Sequence, residues 1–254
     1  MEIKGIDVSR WQGDIDWEKA YSGGVRFAMI KAAQGRRPDP RFLSNLTGAG
    51  RAGVFAGAYV YSLAKTPKEA EAEADAVTEL IGERELRYPV AIDVEDAHFE
   101  KLTKAERGSI VSAFCERIGV RGHIPMIYSN HDWFTRMLPR SVTESYYVWL
   151  AWWRSEKPSP GYNFAVWQSG TGSVPGIEGE VDLDVSFVDF AALTKPPAPF
   201  RLETPRLRGE EYLAMQNALN AAGYRDDSGS PLAEDGVWGE RSQQAFCRLT
   251  ELNR

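Results

Sequence analysis

The chain contains little cysteine and little histidine. Its 254 residues include two cysteines, Cys115 and Cys247, and three histidines. Both cysteines fall in helix-like stretches far apart in the sequence, so we expect free buried thiols and no disulfide. Because there is no Cys/His cluster, a structural zinc site is not expected, and neither a metal nor any other cofactor is predicted.

Long apolar runs and a basic charge balance are also missing. No run is long enough to span a bilayer, and residues 1–5 lack the apolar stretch of a secretory signal. The formal net charge of −6 argues against a nucleic-acid partner and against a polybasic membrane patch. We therefore expect no membrane insertion. We expect that the protein is made in a reducing cytoplasm or leaves the cell by a route other than a signal peptide. A length of 254 residues with 43% hydrophobic content fits one large globular domain and one small one.

What the chain does contain is a pair of acids at the end of a buried strand. Pro89 can only open a strand, residues 90–92 are apolar, and Asp93 and Glu95 follow with one apolar residue between them. Alternation puts both carboxyls on one side, where mutual repulsion raises the pKa of one of them. Glycoside hydrolases use such a pair, in which an acid with a raised pKa lies beside an ionised acid. The alternative is a solvated pair at the start of a loop.

Strand and helix signals alternate along the first three quarters of the chain. This alternation predicts an α/β fold with a mainly parallel sheet, and eight strands predict a TIM-like (β/α) barrel. The last three strands lack crossover helices, so we expect the barrel to be irregular on that side. The predicted strands cover residues 3–8, 27–32, 55–61, 89–95, 125–128, 147–152, 164–168 and 181–187.

Acids and aromatic residues dominate the ends of these strands. Active sites of such barrels lie at the C-terminal ends of the strands. Aromatic rings stack on sugar rings and acids bind hydroxyls, so their convergence predicts a carbohydrate cleft, although each ring alone is explained equally by core packing. Lys31 is interpreted as an ion-pair partner of a site acid. The residues at these ends are Asp7, Lys31, Tyr59, Tyr61, Asp93, Glu95, Tyr128, Trp152, Trp167, Gln168, Asp182 and Asp184.

Several blocks resemble the family 25 glycoside hydrolases, the Chalaropsis-type lysozymes. The resemblance begins with Gly-Ile-Asp-Val-Ser-Arg-Trp-Gln-Gly at residues 5–13 and extends over roughly residues 3–190. It implies hydrolysis of the β-1,4 bond between N-acetylmuramic acid and N-acetylglucosamine with retention of configuration. Further blocks lie at residues 15–17, 27–32, 57–59, 92–95, 149–151, 166–168 and 179–184.

The same resemblance assigns roles to individual acids. Glu95 matches the general acid, and Asp7, Asp93 and Asp182 match the other acids of the site. The attacking group stays open between Asp182, Asp93 and the substrate's own acetamido carbonyl oriented by Asp93, and we favour the acetamido route. The predicted substrate-binding residues are Tyr59, Tyr61, Tyr128, Trp152, Trp167, Gln168 and Asp184.

Three positions depart from the family pattern. Val60 and Tyr61 follow Tyr59 where His-Phe is common, and Trp153 stands where Tyr is frequent. Asp184 replaces a frequent Asn and adds a carboxyl near Asp182. If Asp184 also faces inward, either of these two acids is a candidate for the working group.

The predicted barrel covers residues 1–194, and a second segment follows it. Residues 195–205 are predicted to form a stiff proline-rich linker. Residues 206–254 are similar to three-helix peptidoglycan-binding modules, with Met-Gln-Asn-Ala-Leu at 215–219 and Asp-Gly at 235–236. The alternative is a helical cap packed on the barrel.

Together these features predict a muramidase that acts on bacterial peptidoglycan. The N-terminus without a signal favours a phage endolysin, made in the host cytoplasm and released through a holin, over a secreted bacterial autolysin. The competing interpretations are a non-catalytic cell-wall-binding protein and a chitin-type glycosidase.

Overall fold

A computed structural model of the chain describes residues 2–193, 209–226, 228–237, 241, 242 and 245. The chain forms two compact units, Met1–Lys195 and Pro196–Arg254. The predicted linker, Cys247 and most of the predicted last helix lie outside the described residues. Cys115 is a buried free thiol. None of the described helices combines the length and the apolar character needed to cross a bilayer.

Eight strands of the first unit close into a barrel, which confirms the predicted TIM-like α/β fold. The order around the barrel is β1-β9-β8-β7-β6-β5-β4-β2, with β2 pairing back to β1, while the two-residue β3 extends the edge of β2. The strands are β1 (Ile3–Val8), β2 (Phe27–Gln34), β3 (Arg37–Pro38), β4 (Phe55–Tyr61), β5 (Val90–Asp93), β6 (Pro125–Asn130), β7 (Tyr147–Ala151), β8 (Val166–Gly172) and β9 (Val181–Ser186).

The barrel is irregular where β9 enters it. Six neighbouring pairs are parallel, whereas β9 is antiparallel to both β8 and β1. The connection at residues 173–180 is only eight residues long. A parallel return needs a crossover of a dozen or more residues, so β9 can only come back antiparallel. The expected irregularity of the closing side therefore follows from the length of this loop.

Side-chain caps begin three of the helices. The side chain of Asp16 caps α1, and that of Thr66, followed by a proline, caps α3. Thr103 and Glu106 form a capping box at the start of α4. Residues Trp133–Met137 form a π-helical turn. The helices of this unit are α1 (Trp17–Ser22), α2 (Phe42–Ala52), α3 (Pro67–Ile81), α4 (Lys104–Val120), α5 (Arg140–Ser145) and α6 (Phe190–Leu193).

Alternation along the strands separates two cores. The outward-facing side chains, such as Ile6, Ile30 and Ile92, pack under the helices. The inward-facing side chains fill the barrel itself, with Met29 and Trp149 among them. Apolar side chains occupy the part of the interior nearest the N-terminal ends of the strands. Polar side chains therefore lie together at the C-terminal mouth.

The second unit is organised around one buried glutamine. Helix α7 (Gly209–Ala221) carries Gln216, which is buried. Its Nε2 donates to Asp235 Oδ1 at 3.0 Å and to the Val237 carbonyl at 2.9 Å, and its Oε1 accepts from the amide of Gly236 at 2.9 Å. Gln216 thus holds the Asp-Gly turn against the helix, which explains in physical terms why these two motifs occur together.

Candidate active site

Three strands deliver four aspartates to the inside of the C-terminal mouth. Asp7 on β1 lies directly opposite Asp182 on β9, and Asp184 lies opposite Gly5. Asp93 is the last residue of β5. Paired residues in neighbouring strands point to the same face, so these side chains share the barrel interior. The predicted convergence of acids from distant parts of the sequence is therefore present.

Asp7 is held by a chain of hydrogen bonds inside the barrel. Gln168 Nε2 donates to Asp7 Oδ2 at 2.8 Å, and Gln168 Oε1 in turn accepts from the Tyr128 hydroxyl at 3.2 Å. Burial, together with the charge of Asp182, raises the pKa of Asp7 to about 7, while the bond from Gln168 acts in the opposite direction. Asp7 therefore changes its charge near neutral pH.

Asp184 faces inward but is sealed from solvent. It is 2% exposed, and the indole Nε1 of Trp149 donates to its Oδ1 at 2.7 Å. Its Oδ2 is buried and accepts no hydrogen bond from the described residues. Burial and the neighbouring Asp7 raise the pKa of Asp184 well above its ordinary value, which favours the protonated form and a hydrogen bond from it to Asp7. Asp182 is half-buried, so of the two acids Asp182 is the one that a substrate reaches.

Asp93 and Glu95 stand one above the other at the end of β5. Asp93 is 4% exposed, and burial, followed by the charge of Glu95, raises its pKa well above the ordinary value. Its Oδ1 has no hydrogen-bond partner in the described part of the chain. Glu95 lies at the exposed rim, where desolvation raises its pKa and the charge of Lys31 lowers it. Glu95 thus keeps its proton to a higher pH than a free glutamate.

Lys31 acts on these acids without touching them. Its Nζ lies 5.7 Å from the ring centre of Tyr59 and 4.8 Å from that of Tyr61, and it forms no direct ion pair with a described carboxylate. Its charge lowers the pKa of both Asp93 and Glu95. The predicted pairing of Lys31 with the site acids thus acts through charge at a distance, while the two tyrosine rings hold the ammonium group by cation–π contact.

Aromatic side chains form the walls of the mouth. Tyr59 and Tyr128 are inward-facing neighbours of the acids, and Tyr61 donates from its hydroxyl to Asp96 Oδ2 at 3.2 Å. Trp152 stacks on His131 with ring centres 3.8 Å apart. A groove of about 510 Å³ runs beside the acids and is lined by Tyr128, Asn130, His131, Asp132, Ala151, Trp152, Trp153 and Gln168.

The structure does not bring Trp167 into this site. Gln168 faces the interior, so alternation turns Trp167 to the outside of the barrel, where its Nε1 donates to the Trp152 carbonyl at 2.8 Å. Its predicted place in the substrate-binding set was therefore wrong.

Two tryptophans that the sequence did not assign do belong to the site. Trp149 holds Asp184, and the 61% exposed Trp153 donates from Nε1 to Gln168 Oε1 at 3.2 Å. Side chains alternate along β7, so Trp149 and Ala151 both face the barrel interior. This alternation is the sequence signal that could have identified Trp149. Trp153 lies beyond the strand, where no periodicity applies.

The arrangement can protonate a leaving group at its rim. It offers a carboxyl with a raised pKa above several buried acids, beside a wall of aromatic rings suited to sugar faces. Within the described residues, no group of three or more His, Cys, Asp or Glu side chains is arranged to hold a metal ion.

Comparison with known proteins identifies similar chains. The model of the family "Glycosyl hydrolases family 25" matches residues 6–177. Lysozyme M1 of Streptomyces globisporus is 31% identical over 195 residues, which cover 71% of this chain and 66% of that protein. The N,O-diacetylmuramidase of Arthroderma benhamiae is 29% identical over 62% of this chain and 71% of its own length. The chain thus spans about two thirds of the length of these curated relatives.

A solved structure shares the fold. The bacterial lysozyme from Streptomyces coelicolor superposes with a TM-score of 0.66 at 29% sequence identity, and the match covers 75% of this chain and 94% of that one. The family match at residues 6–177 lies within the first unit.

Proposed function

Because this chain belongs to glycosyl hydrolases family 25, we propose that it is a lysozyme that hydrolyses the β-1,4 bond between N-acetylmuramic acid and N-acetylglucosamine in bacterial peptidoglycan. The observation that carries the proposal is the convergence of Asp7, Asp93 and Asp182 inside the mouth of the barrel, with Glu95 at its rim. Two of these acids are paired across β1 and β9, although 175 residues separate them in the sequence.

Glu95 is the proton donor in this proposal. A general acid must be protonated in the resting enzyme and must reach the bond that breaks. The raised pKa of Glu95 supports the first requirement, and its exposed position at the rim of the mouth supports the second. Glu95 protonates the glycosidic oxygen as the bond from that oxygen to the anomeric carbon breaks.

The reaction proceeds with retention through the acetamido group of the substrate. The acetamido carbonyl oxygen bonds to the anomeric carbon as the leaving group departs, which gives a cyclic oxazolinium intermediate. Asp93 orients the acetamido N–H through Oδ1, the oxygen that accepts no bond from the described residues. Water then attacks the anomeric carbon as the bond from that carbon to the acetamido oxygen breaks, and it gives one proton to the Glu95 carboxylate, which restores both the acetamido group and the acid.

The aromatic side chains that line the groove hold the glycan beside the acids. The exposed Trp153 offers its indole along the groove of about 510 Å³, which Trp152 also lines while its ring stacks on His131, and Tyr128 lies where the groove meets the acids. Indole and phenol rings bind the apolar faces of sugars, while their polar atoms remain available for hydroxyl groups.

The second unit tethers the enzyme to the cell wall in a phage endolysin, which is made in the host cytoplasm and reaches the wall after holin-type release. The motif match at residues 215–219 and 235–236, held together by Gln216, supports a wall-binding module of the peptidoglycan-binding type.

Wall digestion tests the proposal. Purified peptidoglycan is incubated with the wild type and with Glu95→Gln, turbidity is followed, and the soluble products are reduced and analysed by mass spectrometry. We expect clearing by the wild type alone, with new reducing ends on N-acetylmuramic acid. Equal and negligible clearing by both proteins, with unchanged sedimentation on walls, would instead establish a non-catalytic binder. New reducing ends on N-acetylglucosamine alone would contradict the assigned bond.

A further inference from the structure

A second cavity opens beside the catalytic mouth. It has a volume of about 340 Å³ and lies where the turn after β1 meets β3 and the end of β2. Arg10, Lys31 and Arg37 line it together with Trp11. We call these four residues the basic pocket. Lys31 belongs both to this pocket and to the catalytic mouth, so the two spaces are neighbours.

The positive charges of the basic pocket are available for a ligand. The Arg10 guanidinium lies over the Trp11 ring at 4.6 Å, and among the described residues neither Arg10 nor Arg37 forms an ion pair through its side chain. The acid on the lining, Asp39, accepts from the backbone amides of Arg10 at 3.2 Å and Arg41 at 2.9 Å. Its carboxylate is therefore directed to the main chain and not to the guanidinium groups.

The pocket also presents an apolar platform. Trp11 is 77% exposed, and no other large apolar side chain in the described part of the chain is more exposed. An indole that stays in water next to two unpaired guanidinium groups suits a ligand with an apolar face and a negative charge. In a chain with a net charge of −6, this concentration of positive charge is local and not a consequence of composition.

An adjoining cavity continues this basic surface. It has a volume of about 640 Å³, shares Gln34 and Arg37 with the basic pocket and adds Arg36 and Lys68. It also holds two acids: Glu73 accepts from the Ser62 hydroxyl at 2.7 Å and the Leu63 amide at 2.9 Å, and Glu69 accepts from the Lys65 amide at 2.7 Å. The basic character thus extends away from the mouth.

We propose that the basic pocket binds carboxylate groups that project from the glycan strand held in the mouth. The proposal rests on the proposed function and adds a specificity-determining site to it. A guanidinium group matches a carboxylate with two parallel hydrogen bonds, which Lys cannot provide. N-acetylmuramic acid carries a lactyl carboxylate where the peptide has been removed, and carboxylates of the stem peptide where it is present. Chitin carries neither, so this pocket selects wall glycan over chitin.

Binding measurements on full-length Glu95→Gln protein test the proposal without dependence on cleavage. Three glycans of equal length are titrated by calorimetry: a peptide-free strand with free lactyl carboxylates, the same strand with those groups converted to neutral methylamides, and a peptide-bearing strand. We expect Arg10→Gln/Arg37→Gln to weaken binding of the carboxylate-bearing strands at least about tenfold, as for the loss of hydrogen bonds to charged groups. Binding of the neutral strand stays unchanged.

The arms of the experiment separate the two sources of carboxylate. A loss confined to the peptide-free strand assigns the pocket to the lactyl group, and a loss confined to the peptide-bearing strand assigns it to the stem. The matched control is Arg51→Gln, which removes an exposed arginine near the C-terminal end of α2, at the opposite end of the barrel from the mouth.

Two results would overturn the proposal: no loss with any glycan, or an equal loss with the neutral strand. Circular dichroism melting of each variant checks that the fold is intact. Failure of the wild type to release reducing ends from walls would contradict the proposed function alone, because the binding comparison uses a variant that needs no turnover.

Discussion

Asp7 and Asp182 face each other directly across the antiparallel pair formed by β1 and β9. Their charges repel within the barrel, and this repulsion adds to burial in raising the pKa of Asp7 to about 7. The neighbouring Asp184 is sealed from solvent, and its pKa is raised well above the ordinary value, which favours the neutral form. The mouth thus holds more carboxyl groups than it holds negative charges, which keeps protons available where the proposed chemistry needs them.

Removing the Asp7 carboxyl is expected to make folding stability less dependent on pH. Its pKa is about 7 in the folded protein and 3.8 as the ordinary value, so the folded state binds the extra proton and stability falls as pH rises between these values. Asp7→Asn should therefore gain stability over the wild type as pH rises from about 4 to about 8. Urea unfolding across this range measures the gain. A difference that stays constant with pH would contradict the raised pKa.

Replacing Asp184 separates its shape from its charge. In Asp184→Asn the amide oxygen accepts from Trp149 and the NH₂ group donates to Asp7, so the hydrogen bonds are kept without an ionisable group. We expect near-wild-type activity from Asp184→Asn. Asp184→Leu leaves the indole N–H buried and unpaired, at a cost of about 1–3 kcal/mol. Thermal unfolding and wall digestion check both variants, and a severe loss of activity in Asp184→Asn would show that the carboxyl itself takes part.

Lys31 is expected to set the alkaline limit of activity. Its charge lowers the pKa of Glu95, so in Lys31→Met the pKa of Glu95 rises and the general acid stays protonated to higher pH. The alkaline limb of the kcat profile should therefore move to higher pH. The control is Lys104→Met, which removes an exposed lysine at the start of α4. An unchanged limb would mean that another group controls it.

The barrel interior leaves no room for a side chain at Gly57. A Cβ there would lie 2.6 Å from Met29 Sδ and 2.7 Å from the Pro89 carbonyl oxygen. Gly57→Ala should therefore lower the free energy of unfolding by about 1–3 kcal/mol. At Gly50, on the exposed side of α2, a Cβ would meet nothing within 4 Å, so Gly50→Ala should raise it by about 0.5–1 kcal/mol. Chemical denaturation compares the pair, and equal effects would refute the crowding at Gly57.

Gln216 is expected to control the second unit alone. Gln216→Leu removes the partners of the Asp235 and Gly236 amides, so this unit should lose its fold while the barrel keeps its own. Limited proteolysis should then release an intact barrel, and binding to walls should fall. The exposed Asn217→Ala is the control. A drop in the barrel's own melting temperature would favour the interpretation of this segment as a structural cap.

Local sequence signals specify much of the fold. The caps at Asp16, Thr66 and Thr103 begin the helices because short polar side chains satisfy free amides at those positions, whatever surrounds them. The pairing of acids at 93 and 95, and the motif blocks from residue 5 onward, likewise identify the family without coordinates.

Tertiary structure decided which side of each strand faces the barrel interior. Alternation relates neighbouring residues but does not say which of them points inward, so Gln168 and Trp167 were both assigned to the site although only Gln168 reaches it. The bond from Gln168 to Asp7 joins residues 161 positions apart, and Asp184 accepts its hydrogen bond from an indole on a third strand. Sequence fixes the chemistry of each side chain, whereas burial and charge at the mouth arise only when distant strands close the barrel.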